Sequence, residues 1–167
     1  VGVLLDDWLD SHFFNFVVVA IALIVYGIAF IVIEQINAKK KYKYTDIDAL
    51  DGKTSFKIGL FQVLALIPGT SRSGSTILGA SLIGVDRTTA AEFSFFLAIP
   101  VMAGATLLKG AKAVLIDDIS LNATESLVIF FGTLTAFLVS LGVIKLLMNF
   151  VKKHTFEFFG WYRIFLG

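Results

Sequence analysis

Residues 54–87 read TSFKIGLFQVLALIPGTSRSGSTILGASLIGVDR. Two apolar runs, 56–67 and 77–85, flank a polar hinge, Pro68-Gly69-Thr70-Ser71-Arg72-Ser73-Gly74-Ser75-Thr76. The runs have twelve and nine residues and reach roughly 18 and 14 Å as helices, against a hydrocarbon core about 30 Å thick. Neither run crosses a bilayer alone, so the hinge is expected near mid-membrane. Backbone at that depth is tolerated only where protein buries it or where it lines a wet cavity. An arginine there is expensive and marks a functional site. The stretch predicts a re-entrant helix–hinge–helix over residues 54–84 that carries Arg72 and a cluster of hydroxyls into a pocket inside the bilayer.

The rest of the chain supplies the setting. Of its 167 residues 57% are hydrophobic and 16% charged, and the mean hydropathy is +0.85. That composition excludes an ordinary soluble domain and predicts an all-α, polytopic integral membrane protein. A net charge of +1 gives no basic field for nucleic acid. With no cysteine there is neither a disulfide nor a thiolate metal site.

Residues 1–11, with Asp6, Asp7, Asp10 and Trp8, read as an interfacial segment. Residues 13–33 carry no charge and are long enough to span. Further spans are expected at 88–108, with Glu92 near its start and Pro100 inside it, and at 126–144. The run 156–167 starts a fourth, truncated span. Lys39, Lys40, Lys41 and Lys43 after the first span, and Lys152 and Lys153 after the third, put both loops on the cytoplasmic side. The two agree only if 54–84 enters and returns without crossing. His12 and His154 read as interfacial. Small residues such as Gly79, Ala80, Gly104, Gly132 and Gly142 read as helix-packing positions.

The hinge has its own chemistry. Pro68 and Gly69 stop the first half-helix, and Thr70 or Ser71 can cap the second. Free N–H groups at a helix N-terminus, with the helix dipole behind them, form an anion site. Arg72 adds a planar fork suited to phosphate. Thr70, Ser71, Ser73, Ser75 and Thr76 add hydroxyls, and Gly69 and Gly74 permit close approach. The Gly-Lys-Ser/Thr element of a Walker A loop is missing. An anion site fits better than a plain structural hinge whose arginine is neutralised by Glu92. Glu92 itself can be interfacial, orient Arg72, or help hold a cation. Whether Gln62 faces the pocket is open.

The run from Gly59 to Thr76, GLFQVLALIPGTSRSGST, closely resembles the undecaprenyl-diphosphatase (bacitracin-resistance) family, as does Ala90-Ala91-Glu92-Phe93-Ser94-Phe95 with the Pro-containing helix that follows. The resemblance implies a bacterial plasma-membrane phosphatase. Such an enzyme converts undecaprenyl diphosphate to the monophosphate carrier for cell-wall synthesis and needs a divalent cation, Mg²⁺ or Ca²⁺. Its fold is similar to an inverted-repeat transporter, with one re-entrant pair in each half. By resemblance, Arg72 binds the diphosphate, with Ser71 and Ser73 beside it as catalytic candidates. Thr70 lines the same pocket and Gln62 matches a Glu/Gln position; the hinge chemistry adds Gly69, Gly74 and Thr76 as substrate-binding residues. The family's other half carries a Glu-rich motif and a Pro-x-Ser-Ser-Thr-Gly-His segment, absent here. The chain therefore reads as a single membrane domain holding half of such a fold. The metal ligands and a catalytic histidine are expected before Val1, and the chain alone is expected to be inactive. The sequence leaves a homo-oligomer open. The rival class is a lipid-phosphate flippase or transporter, since broken helices aimed at an anion also occur there. An anion channel is weaker, because the other spans offer few polar residues.

Overall fold

The computed structural model describes residue 13 and residues 15–38, 41–115 and 122–167. The interfacial reading of residues 1–11, His12, Lys39 and Lys40 lies outside them. Among the described residues six α-helices follow one another: α1 (Phe16–Asn37), α2 (Gly52–Phe61), α3 (Arg72–Ile83), α4 (Arg87–Leu115), α5 (Ala123–Lys153) and α6 (Glu157–Leu166). Short 3-10 turns occupy Ile47–Ala49 and Gln62–Leu66. The protein is all-α, and α1, α4 and α5 are long and apolar enough to cross a membrane. It is a multi-pass membrane protein.

Local chemistry accounts for the ends. Asn15 caps α1 by accepting from the Val18 N–H at 2.9 Å. Asp51 caps α2 through the Thr54 N–H at 2.9 Å, and hydrogen bonds from Thr54 hold its carboxyl below the usual range. Asp86 accepts from the N–H groups of Thr88 and Thr89 at the start of α4. Asn122 and Glu125 form a reciprocal capping box on α5. α4 and α5 have 29 and 31 residues and outrun the spans expected at 88–108 and 126–144. Hydropathy marks where lipid ends, whereas caps mark where the helix ends. Lys109, Lys112, Lys152 and Lys153 stay helical because their stems reach water from beyond the hydrocarbon. α4 is helical through Pro100.

α2 and α3 form a hairpin whose outer ends are tied together. Lys43 and Tyr44 donate to the Gly84 carbonyl at 2.8 and 3.2 Å, and the Asp86 N–H donates to the Tyr44 carbonyl at 2.9 Å. Gly84 ends α3 at φ 96°, a left-handed cap that glycine adopts without strain. The hinge end packs on α1, where a side-chain carbon on Gly69 would lie 2.7 Å from the Val19 carbonyl. Val19–Ala22 is roughly 18–22 Å along the α1 axis from Glu34, and the 3-10 turn after α2, which rises about 2.0 Å per residue, lengthens the leg that carries the hinge there.

α3 is the hub. Leu78 shares one buried cluster with Phe30, Ala91, Val151 and Phe156, and Ala80 shares another with Ile58, Val85 and Ala90. α6 runs antiparallel to α1: Phe156 packs on Phe30, Gly160 on Gly27, and Gly167 on Ala20. With ten residues it is about 15 Å long, short of a span. Outward residues of α1, including Ile21, Val25, Ile28 and Val32, recur at helical spacing and form an exposed apolar stripe. Among the described residues, no atom beyond the helix's own backbone lies within 4 Å of where a side chain would start on Gly104, Gly132 or Gly142.

Candidate active site

The hinge is built on two residues with positive φ, Gly69 at 88° and Ser71 at 66°. For serine that conformation is strained. The Ser71 hydroxyl accepts from the Gly74 N–H at 3.3 Å, and the Ser71 carbonyl accepts from the Ser75 N–H at 3.0 Å. Among the described residues, the N–H groups of Arg72 and Ser73 have no acceptor. They are the open donors of the α3 N-terminus.

The hydroxyls divide into two sets. Ser71 and Ser73 are exposed, 3.4 Å apart, and line a cavity of about 270 Å³ together with Gly74. Ser75 and Thr76 are buried and donate back to the Arg72 carbonyl at 2.9 and 2.8 Å. Thr76 therefore belongs to the helix rather than to the cavity. Thr70 is buried, and its hydroxyl finds no partner among the described residues. The remaining cavity wall is mostly apolar: Phe30, Ile77, Phe95, Leu147, Phe156 and Phe159, with Ser94 and Tyr162 as polar breaks.

Gly69, Thr70, Gln62, Arg72 and Glu92 are not among the lining residues. Arg72 starts α3, and its guanidinium lies off the lining with a buried Nη1 that has no partner among the described residues. The guanidinium that lines the cavity belongs to Arg163 of α6. Its Nη2 donates to the Gly69 carbonyl at 2.6 Å and the Thr70 carbonyl at 2.9 Å, and its Nε is buried without a partner. The sequence carried a signal for it. An arginine inside the apolar run 156–167 meets the same criterion that singles out Arg72, but no Pro, Gly or hydroxyl neighbours draw attention to it.

Among the described residues there is one ion pair, Arg87–Glu34 at 3.2 Å, near the outer end of the hairpin. Neither Arg72 nor Arg163 is paired with a carboxylate, and Glu92 pairs with neither. Two partly buried guanidiniums, neither paired with a carboxylate among the described residues, beside open helix N–H groups, make the hinge an electropositive site.

The whole chain, residues 1–167, matches the family model described as bacitracin resistance protein BacA. The chain belongs to the BacA family. It is 54% identical over 166 residues to an undecaprenyl-diphosphatase of Streptococcus thermophilus (strain CNRZ 1066), covering 99% of this chain and 57% of that protein. It is 52% identical to an undecaprenyl-diphosphatase of Enterococcus faecalis (strain ATCC 700802 / V583), over 100% of this chain and 60% of that one. An undecaprenyl-diphosphatase of Streptococcus pyogenes serotype M4 is 53% identical over the same shares. The chain thus spans less than two thirds of the length of the curated relatives it matches.

The divalent cation implied by the family resemblance can be tested against the donors present. Mg²⁺ and Ca²⁺ take oxygen ligands, chiefly carboxylates. The cavity offers hydroxyls and a guanidinium but no carboxylate, and among the described residues no three acidic or histidine side chains come together. These residues do not fit such a site.

Proposed function

We propose that this chain serves a bacterial plasma-membrane phosphatase that hydrolyses undecaprenyl diphosphate to undecaprenyl phosphate and inorganic phosphate. In this reading it recycles the carrier for cell-wall synthesis and confers resistance to bacitracin. The observation that carries the proposal is a single cavity with two characters. One end holds the α3 N-terminus, Ser71, Ser73 and Arg163, and the remaining walls are aromatic and aliphatic. A prenyl diphosphate has the matching halves, an anionic head and an apolar tail.

The terminal phosphate would accept hydrogen bonds from the N–H groups of Arg72 and Ser73 and from the two exposed hydroxyls. Arg72 stays in the site on the strength of its unpartnered Nη1, a charged donor without an acceptor. Such donors stabilise the charge that spreads over the transferred phosphoryl group, which is how phosphoryl transfer is mainly catalysed. The bond broken joins the terminal phosphorus to the bridging oxygen. Water adds across it, and the prenyl monophosphate leaves. Nothing in this cavity is a carboxylate or histidine that could take the water's proton. Mg²⁺ or Ca²⁺ belongs to the proposal for the whole enzyme, held by groups other than these residues.

The test is phosphate release from a prenyl diphosphate by the full-length natural protein in micelles. Arg72→Ala should lose about a hundredfold in kcat/KM, since a charged hydrogen bond is worth about 1.5–3 kcal/mol and more where charges are left unpaired. Arg72→Lys should recover little of it, having the charge without the fork. Movement of the lipid head group across vesicles without phosphate release would favour the flippase reading instead.

A further inference from the structure

We propose that Arg163 is a positioning residue for phosphate binding: it holds the hinge carbonyls so that the α3 N-terminus faces the cavity, and the Gly27–Gly160 crossing sets its own place. The inference rests on the anion-site reading above and assigns the hinge a keeper outside the hinge motif.

Both Nη2 hydrogen bonds end on consecutive carbonyls, Gly69 at 2.6 Å and Thr70 at 2.9 Å. These two residues sit in a segment that no ladder of backbone bonds can hold, because Gly69 and Ser71 both have positive φ. Peptide planes are rigid, so fixing the Thr70 carbonyl fixes the plane that enters Ser71. Ser71 is the residue whose hydroxyl caps α3 and borders the cavity. A charged donor on both carbonyls therefore sets the angle at which the open N–H groups meet an anion. Arg163 is also close-fitted on its other side: a side-chain carbon on Gly74 would lie 3.0 Å from Nη1.

α6 brings Arg163 to this point from α1. A side-chain carbon on Gly160 would meet the Gly27 carbonyl at 2.8 Å and Ile31 at 2.7 Å, and one on Gly27 would meet the Gly160 carbonyl at 2.7 Å. The two backbones touch, so neither glycine has room for a methyl. Arg163 lies three residues after Gly160, on the same face of α6, with its guanidinium 5.8 Å from the Tyr26 ring of α1. A methyl at the crossing would lift α6 and withdraw the guanidinium from the hinge.

Four variants of the full-length natural protein test this in micelles, by phosphate release from a prenyl diphosphate and by melting temperature. Arg163→Ala should lose about tenfold or more in kcat/KM at a nearly parental melting temperature. Inorganic phosphate should inhibit it more weakly, and added guanidinium ion should restore part of its rate. Arg163→Lys should lie between parent and alanine, because one ammonium cannot hold two carbonyls as the planar fork does. A folded Arg163→Ala within about threefold of the parent overturns the proposal, as does a loss that guanidinium leaves untouched. If Arg163→Ala does not fold, Gly160→Ala decides: a lower rate per folded molecule supports the proposal, even at a lowered melting temperature, and an unchanged rate overturns it. Arg72→Ala separates the two readings. Parental activity there removes the anion site itself, whereas a large loss there with a parental Arg163→Ala removes only the positioning role.

Discussion

Ser71 concentrates the tension between stability and site. Its side chain caps α3, which helices reward, while its φ of 66° is one that serine rarely adopts. Left-handed strain in a non-glycine residue costs of order 1–3 kcal/mol. Losing a serine cap to alanine costs about 1 kcal/mol, and to glycine only a few tenths. Ser71→Gly should therefore melt at or above the parent, and Ser71→Ala should be less stable by about 1 kcal/mol. Both should lose activity, because both remove a cavity hydroxyl. Thermal melts and phosphate release on the same purified variants check this. Equal stability of the alanine and glycine variants would mean that the serine is neither strained nor capping. A serine kept where glycine would be more comfortable is an argument for its hydroxyl.

At the scale of elements, reading the α2–α3 hairpin as re-entrant makes a direct prediction. The outer ends of α2 and α3 are joined through Lys43, Tyr44, Gly84 and Asp86, so both must emerge on one face. The chain has no cysteine, so single cysteines can be placed at the exposed Lys53, Lys152 and Asn122. Labelling with an impermeant thiol reagent should find the first two on one side and Asn122 on the other. Lys53 and Lys152 on opposite sides would break the topology. The two short helices with a hinge between them were legible because runs of about nine to twelve apolar residues are too short to span and Pro-Gly between them must turn. Three things were not legible. The length of the leg before the hinge depends on the 3-10 turn at Gln62–Leu66, which hydropathy does not register. The partition of hydroxyls depends on which side of α3 is packed, which sent Ser75 and Thr76 to the Arg72 carbonyl. Arg163 reaches the hinge only through tertiary packing of α6 on α1, across a sequence separation that no local pattern spans.

The whole molecule is one-sided. α3 is packed by α1, α2, α4 and the inner end of α5, while residues 123–146 of α5 expose nearly all their side chains to the surroundings. The cavity is one-sided in its chemistry too. It gathers donors for an anion, with no carboxylate or histidine on its lining to accept a proton. Binding and turnover should therefore separate in the chain of residues 1–167. Anion recognition needs only the α3 N-terminus, Ser71, Ser73 and the two arginines, all of which are present. A prenyl diphosphate should raise the melting temperature of this chain in micelles, by mass action on the folded state, and the shift should shrink in Arg72→Ala. Hydrolysis needs a base for the attacking water as well, so phosphate release should stay at the level of a protein-free control. Ser71 and Ser73 are nucleophiles only if something takes their protons. Release above control would therefore show that one of these serines, or a group elsewhere in the chain, is activated without a carboxylate or histidine on the cavity wall, and would overturn the division of labour assigned to the hinge. A melting temperature indifferent to the lipid would instead show that the donors gathered at the hinge do not by themselves make an anion site.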